Sequence, residues 1–281
     1  MLAYNKQTIE QDDIDSVVNV LTSDRLTGGP IVEKFESDLA EYLNYPYVAT
    51  VSSGTAALDA IYSWLVSNYQ WKVITTPLTY LATTSAPIRA GSEFSVVYED
   101  NHAQTLNMKV PEQQLTNIML PIDFGGLPCA EFDKCRATFI VDSSHSIGAR
   151  LSNIPYARTF SFHPVKNITT GEGGAVATHD KNLYEFVKAF RDNGRADFDD
   201  SKFIGTACKL AAINAALGSS QLKKLNRFIA RRREIAARYY KELPDCLRMP
   251  YWSDDHGWHL FVIRHKKRDQ IKAKLAKFGI E

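Results

Sequence analysis

The stretch Phe160-Ser161-Phe162-His163-Pro164-Val165-Lys166-Asn167-Ile168-Thr169-Thr170-Gly171-Glu172-Gly173-Gly174 decides how the rest of the chain is read. Its first residues are those of a strand. Pro164 turns the chain out of that strand, a single lysine follows, and glycines then let backbone approach a neighbour or a ligand closely. Lys166 falls just past the carboxyl end of the strand, where open α/β sheets bind ligands. A free lysine has a pKa of about 10.4 and is a poor nucleophile at neutral pH. Joined to an aldehyde cofactor as a Schiff base, it becomes a good leaving group and a proton shuttle. Taken alone, one lysine is more simply a solvated loop residue.

Upstream, short strand patterns alternate with helical ones. Strands are expected at Tyr47–Val51, Lys72–Thr76, Phe94–Tyr98, Asn117–Ile122, Thr138–Val141, Arg158–Phe162 and Ala175–Thr178. Helices are expected over Gln11–Ser23, around Val32–Leu43, over Ala56–Val66 and over Thr79–Arg89. Ile14, Val17, Val18 and Leu21 share one helix face. This alternation argues for an α/β domain with a mostly parallel central sheet. After Lys181 the pattern turns helical, over Leu183–Phe190 and then Leu210–Leu243 with breaks, with Arg231-Arg232-Arg233 as a solvated face. Trp258–Arg264 reads as a strand and Arg268–Phe278 as a helix. The expected division is a large domain over 1–200, including the N-terminal helices, and a reduced α+β domain over 201–281.

Three further segments end predicted strands with groups that carry chemistry. Asp142 closes Ile140-Val141-Asp142, with His145 three residues on; a carboxylate there could hold a protonated ring nitrogen, or cap the next helix. Ser53-Gly54-Thr55 opens a helix whose free N–H groups and dipole suit a phosphate, or form a plain N-cap. Ser161 adds a hydroxyl to the same place. Tyr80 follows Lys72–Thr76 and could stack on a flat ring, or belong to the core.

The bulk numbers exclude several classes. The 281 residues are 44% hydrophobic and 23% charged, an ordinary globular balance. Lys plus Arg is 33 against 32 Asp plus Glu, a net charge of +1, so nothing draws the whole chain to nucleic acid or anionic membrane. Cys129, Cys135, Cys208 and Cys246 form no C-x-x-C pair and read as free thiols, with no metal site. Met1–Asp13 has no signal-peptide pattern, and no apolar run approaches the ~20 residues of a bilayer span. A cytoplasmic location is expected.

These motifs resemble the DegT/DnrJ/EryC1/StrS family of pyridoxal-phosphate-dependent sugar aminotransferases, of the fold-type I, aspartate aminotransferase-like class. The resemblance rests on Leu26-Thr27-Gly28-Gly29-Pro30, Ser53-Gly54-Thr55-Ala56-Ala57-Leu58, Thr75-Thr76-Pro77-Leu78-Thr79-Tyr80, Asp142 with His145, the Lys166 segment, and Ala215-Ala216-Leu217-Gly218 with Gln221-Leu222. It implies pyridoxal 5'-phosphate carried by Lys166, Asp142 on the ring nitrogen, His145 at the ring oxygen, Tyr80 against the ring face, and Gly54, Thr55 and Ser161 on the phosphate. It implies amino transfer from an amino acid, glutamate, to a 4-keto-6-deoxy sugar nucleotide, for surface glycan or deoxyamino-sugar biosynthesis, by a homodimer. His163-Pro164-Val165-Lys166 and His145 resemble in particular the branch that makes UDP-4-amino-4,6-dideoxy-N-acetyl-β-L-altrosamine.

The resemblance has departures. Ala207 and Lys209 stand where relatives carry an Asn that reaches the other subunit's cofactor phosphate and an Arg. The chain also stops at Gly279-Ile280-Glu281, where relatives continue with the last elements of the small domain. Two alternatives therefore stay open: a pyridoxal-phosphate-dependent sugar dehydratase, whose relatives carry His in place of Lys166, and a degenerate binding protein without catalysis.

Overall fold

The computed structural model describes residues 2–68, 72–96, 118–129, 138–197, 200–201 and 203–281. The strand expectation therefore meets its limit beyond Val96, and Cys135 lies outside the described residues.

Two amphipathic helices open the chain, α1 (Gln11–Leu21) and α2 (Pro30–Leu43). The Gly28-Gly29 turn between them has φ of 62° and 76°, which glycine adopts without the Cβ penalty, and Pro30 then starts α2 at a position that needs no N–H. β1 (Tyr47–Val51), α3 (Gly54–Asn68), β2 (Lys72–Thr75), α4 (Leu81–Arg89), β3 (Glu93–Val96), β4 (Ile118–Leu120) and β5 (Thr138–Asp142) follow. Then come β6 (Ala157–Ser161), β7 (Gly174–Thr178), α5 (Lys181–Phe190), a short hairpin of β8 (Arg195–Asp197) and β9 (Asp200–Ser201), α6 (Ala212–Glu242) and α7 (Arg268–Lys277).

The main sheet has the order β1-β7-β6-β5-β4-β2-β3. Every pairing from β6 to β3 is parallel; β7 alone runs against both its neighbours, β1 and β6. The sheet is buried on both faces, which is why its strands read as apolar runs without alternation. On one face Leu58, Ile61, Tyr62 and Leu65 of α3 meet Val73, Ile118, Ile140 and Val176. On the other, Phe35 and Leu39 of α2 pack with Phe160, Phe162 and Ala215.

Two expectations for the C-terminal part give way. The helix over 212–242 is unbroken despite Gly218 and Ser219-Ser220. Gly218 lies where α2 crosses: a Cβ there would meet the Phe35 ring at 2.5 Å, so the small residue serves packing, not a break. The segment 258–264 is not a strand; its sheet-like pairing is a single bridge, Arg248 with Arg264. Trp258 has φ of 46°, a conformation that costs a bulky residue energy. The segment's backbone bonds go instead to the Gly125-Gly126 turn and to the Arg232 guanidinium, which donates to the Trp258 and His259 carbonyls.

β6 also carries a charge into the core. Arg158 and Asp123 are both fully buried, 3.0 Å apart. Asp123 accepts further bonds from the Cys129 N–H (2.8 Å) and from the Ser143 and Ser146 hydroxyls (2.8 and 2.6 Å). Removing one partner of a buried pair leaves the other charge uncompensated. Asp123→Ala is expected to lower stability by about 3–5 kcal/mol. Urea denaturation checks it: the midpoint should fall while the slope holds.

Candidate active site

A cavity of about 460 Å³ lies at the carboxyl ends of β1, β2, β4, β5 and β6. Its volume is that of a cofactor-sized ligand site. Each of these strands delivers lining groups from its last residue or from the loop that follows it. Gly54 and Thr55 come after β1, Thr79 and Tyr80 after β2, Phe124 after β4, and Asp142 with Ser144 and His145 from the end of β5. Ser161, His163 and Lys166 come from the end of β6 and beyond. All seven residues singled out in the sequence (Gly54, Thr55, Tyr80, Asp142, His145, Ser161 and Lys166) line this one space.

Asp142 is 4% exposed. One of its oxygens accepts from the Thr83 hydroxyl at 2.8 Å, and Thr83 accepts in turn from Thr79 at 2.6 Å. The other accepts the Ser144 N–H at 3.1 Å. Turns, not a helix, follow Asp142, so it caps no α-helix. The main chain fixes it as well: the Asp142 N–H donates to Pro121 and its carbonyl accepts from Asp123, both at 3.0 Å.

Burial lowers the pKa of Lys166 to about 8, with the Asp142 charge acting in the opposite direction. Burial first, and then the Lys166 charge, lower His145 to about 4, again opposed by Asp142. At neutral pH the imidazole is therefore neutral. The amine reaches its nucleophilic neutral form well below the range of a free lysine.

The β1–α3 turn forms a tight cradle. Ser53 caps α3, its hydroxyl accepting the Ala56 N–H at 3.1 Å and its carbonyl the Ala57 N–H at 3.1 Å. A Cβ on Gly54 would lie 2.9 Å from the Ser161 Cβ and 3.4 Å from the Ser144 and Ser161 hydroxyl oxygens. One on Gly174 would lie 2.4 Å from the Ser53 carbonyl, so β7 can run this close to the turn only with glycine. The helix start of α3 thus meets two hydroxyls in a space without side-chain bulk, a setting suited to an anionic group. Tyr80 is 75% exposed at the cavity rim, which excludes the core-tyrosine reading. A depressed amine, a buried carboxylate, a neutral imidazole, a rim aromatic and an anion cradle fit pyridoxal phosphate by the chemistry of the set.

Several lining residues were given no place in the site by the sequence reading: Tyr4, Phe124, His163, Glu172, His259 and Leu260. His259 is the most deeply placed of the cavity's histidines, 7% exposed, with its ring 4.5 Å from that of His145. Its segment had the pattern of a strand, and nothing local in W-H-L-F marks a site. Ala207 and Lys209 do not line the cavity; the Lys209 ammonium sits 2.8 Å from Asp192 in the same chain. With Arg195, it holds the Asp192 carboxyl below its usual range.

Comparison with known proteins matches residues 7–281 to the DegT/DnrJ/EryC1/StrS aminotransferase family. The chain is 34% identical over 275 residues to a UDP-4-amino-4,6-dideoxy-N-acetyl-beta-L-altrosamine transaminase of Campylobacter jejuni, covering 90% of this chain and 72% of that protein. Among solved structures, Helicobacter pylori PseC, an aminotransferase involved in the biosynthesis of pseudoaminic acid, superposes with a TM-score of 0.87 at 31% identity, covering 99% of this chain and 82% of that one. The PLP-form of Spr1654 from Streptococcus pneumoniae gives a TM-score of 0.86 at 25% identity, covering 98% and 82%.

Proposed function

We propose, from the premise that the chain belongs to the DegT/DnrJ/EryC1/StrS aminotransferase family, that it is a pyridoxal-phosphate-dependent aminotransferase acting on a sugar nucleotide. Glutamate is the proposed donor and a 4-keto-6-deoxy sugar nucleotide the acceptor, with the product used for surface glycan or deoxyamino-sugar synthesis. The observation that carries this reading is the convergence of the seven residues on one cavity around a lysine whose pKa is lowered to about 8.

Pyridoxal phosphate, when bound, supplies an aldehyde for the amino group and a ring that accepts the electron pair left when the α-proton departs. The chain's own residues do the rest. Lys166 would hold the cofactor and would hold and pass a proton at Nζ. Asp142, immobilised by Thr83 and Ser144, keeps a proton on the ring nitrogen. His145, neutral, would donate to the ring oxygen. Gly54, Thr55 and Ser161 would hold the phosphate, and Tyr80 would flank the ring.

The test is spectroscopic. Protein loaded with pyridoxal phosphate should show a visible band, and glutamate alone should bleach it. Binding without bleaching by any amino acid would favour the non-catalytic reading. The dehydratase reading is disfavoured by Lys166, the residue its members lack.

Attachment of the cofactor needs the neutral amine. Because the Lys166 pKa is lowered to about 8, the neutral fraction reaches one half near pH 8 and levels off about a unit above it. The observed loading rate should follow that curve. A rate still climbing steeply at pH 10 would mean an ordinary lysine.

The homodimer is also part of the proposal. Tyr80 at the cavity rim and Leu81 beside it are about three-quarters exposed, and Ile88, further along α4, is 59% exposed, a surface that suits a two-fold partner. Sedimentation at micromolar concentration should give a dimer; a monomer would contradict it. The division at residue 200 into a large and a reduced domain is kept as part of this reading. Among the described residues no helix is long and apolar enough to cross a membrane, which suits the cytoplasmic placement we propose.

A further inference from the structure

We propose that His259 is a positioning residue which, with the Gly125-Gly126 turn, holds His145 as a neutral imidazole carrying its proton on Nε2. The inference rests on the aminotransferase reading only for what that proton is offered to.

Three segments meet at the turn. It follows β4, and its glycines have φ of 68° and 99°. The Gly125 N–H donates to His145 Nδ1 at 3.3 Å. An imidazole nitrogen that accepts a backbone N–H carries no proton, so in the neutral ring the proton sits on Nε2. His145 lines the cavity, and there it acts as a donor. The turn is held from the other side by the C-terminal segment: the Gly257 N–H donates to the Gly126 carbonyl at 2.7 Å, and the Leu260 N–H to the Gly125 carbonyl at 2.9 Å. A Cβ on Gly126 would lie 2.9 Å from both the His145 carbonyl and the His259 nitrogen, so no other residue lets the segments come this close.

Two other rings pack against that of His145. Phe124 lies at 5.9 Å and 59°, His259 at 4.5 Å and 49°. His259 Nδ1 is buried and finds no hydrogen-bond partner among the described residues; what His259 offers His145 is its ring. The surrounding charges also favour neutrality. Burial lowers both histidines first; the Lys166 charge adds to it at His145, opposed by Asp142, and His145, Lys166, Arg232 and His256 add to it at His259. Glu172 lines the same cavity.

The test uses the full chain without added cofactor, with ¹⁵N-labelled histidine, and reads the tautomer and titration of His145 by long-range ¹H–¹⁵N NMR. It therefore stands whether or not the amino-transfer reading survives. The wild-type ring should show Nε2–H at pH 7 and stay neutral down to pH 5. A ring protonated on Nδ1, or one titrating like a free histidine, overturns the proposal. His259→Phe keeps an aromatic ring and should leave both signals unchanged. His259→Leu keeps apolar volume without a ring; it should give a mixture of tautomers and raise the titration midpoint by about one pH unit. A His259→Leu protein indistinguishable from wild type would remove His259 from the arrangement.

Discussion

Replacing Lys166 with alanine is expected to abolish amino transfer while leaving the fold intact. It is the sole lysine of the Phe160–Gly174 segment and, among the described residues, the only lysine that lines the cavity, so no neighbouring amine there can take over its role. Loss of one acid–base group alone slows a reaction by roughly 10²–10⁴-fold. Here the covalent attachment goes as well, so turnover should fall below detection. The structure tolerates the change because burial disfavours the lysine's charge, and alanine removes that cost. The variant should still bind pyridoxal phosphate through the α3 cradle and Asp142, without the band of the lysine-bound form. Measurable turnover in Lys166→Ala would take Lys166 out of the mechanism.

The second large effect is expected at Asp142. Asp142→Asn keeps the size and an oxygen able to accept from Thr83 or Ser144, so the protein should fold and bind cofactor. A neutral amide cannot keep a proton on the ring nitrogen, and the electron pair of the departing α-proton loses its sink. We expect a fall in kcat of roughly 10³-fold, about 4 kcal/mol at about 1.4 kcal/mol per decade. Steady-state kinetics with unchanged cofactor occupancy checks it. An unimpaired Asp142→Asn enzyme would reduce Asp142 to a tie between Thr83 and the Ser144 turn.

The parts of this protein that were legible in the sequence are those fixed by local patterns. Alternating apolar runs and helical periods located the strands of the sheet to within one or two residues at most ends. Lys166, Asp142 and Gly54 were visible because each lies at or just past the end of an apolar run read as a strand. Long-range pairing was not visible. Arg158 sits in the middle of a strand pattern, and its partner Asp123 is 35 positions away, on the extension of β4. Trp258–Arg264 has the composition of a strand, but the Gly125-Gly126 turn, more than 130 residues earlier, takes the Leu260 N–H and that of Gly257 just before the segment, and the Trp258 N–H goes to the His256 ring. His259 was missed for the same reason: its place beside His145 comes from that docking. The break expected inside 212–242 failed because Gly218 answers to the Phe35 ring of another helix.

The central claim is that the Lys166 cavity carries nitrogen from an amino acid to a keto-sugar nucleotide. The most direct measurement gives the loaded enzyme ¹⁵N-glutamate and a UDP-linked 4-keto-6-deoxy sugar, and follows the label by mass spectrometry, with Lys166→Ala in parallel. The account predicts ¹⁵N in the sugar nucleotide for the wild-type protein and none for the variant. Label that never leaves glutamate, or that reaches the sugar equally well without Lys166, would contradict it.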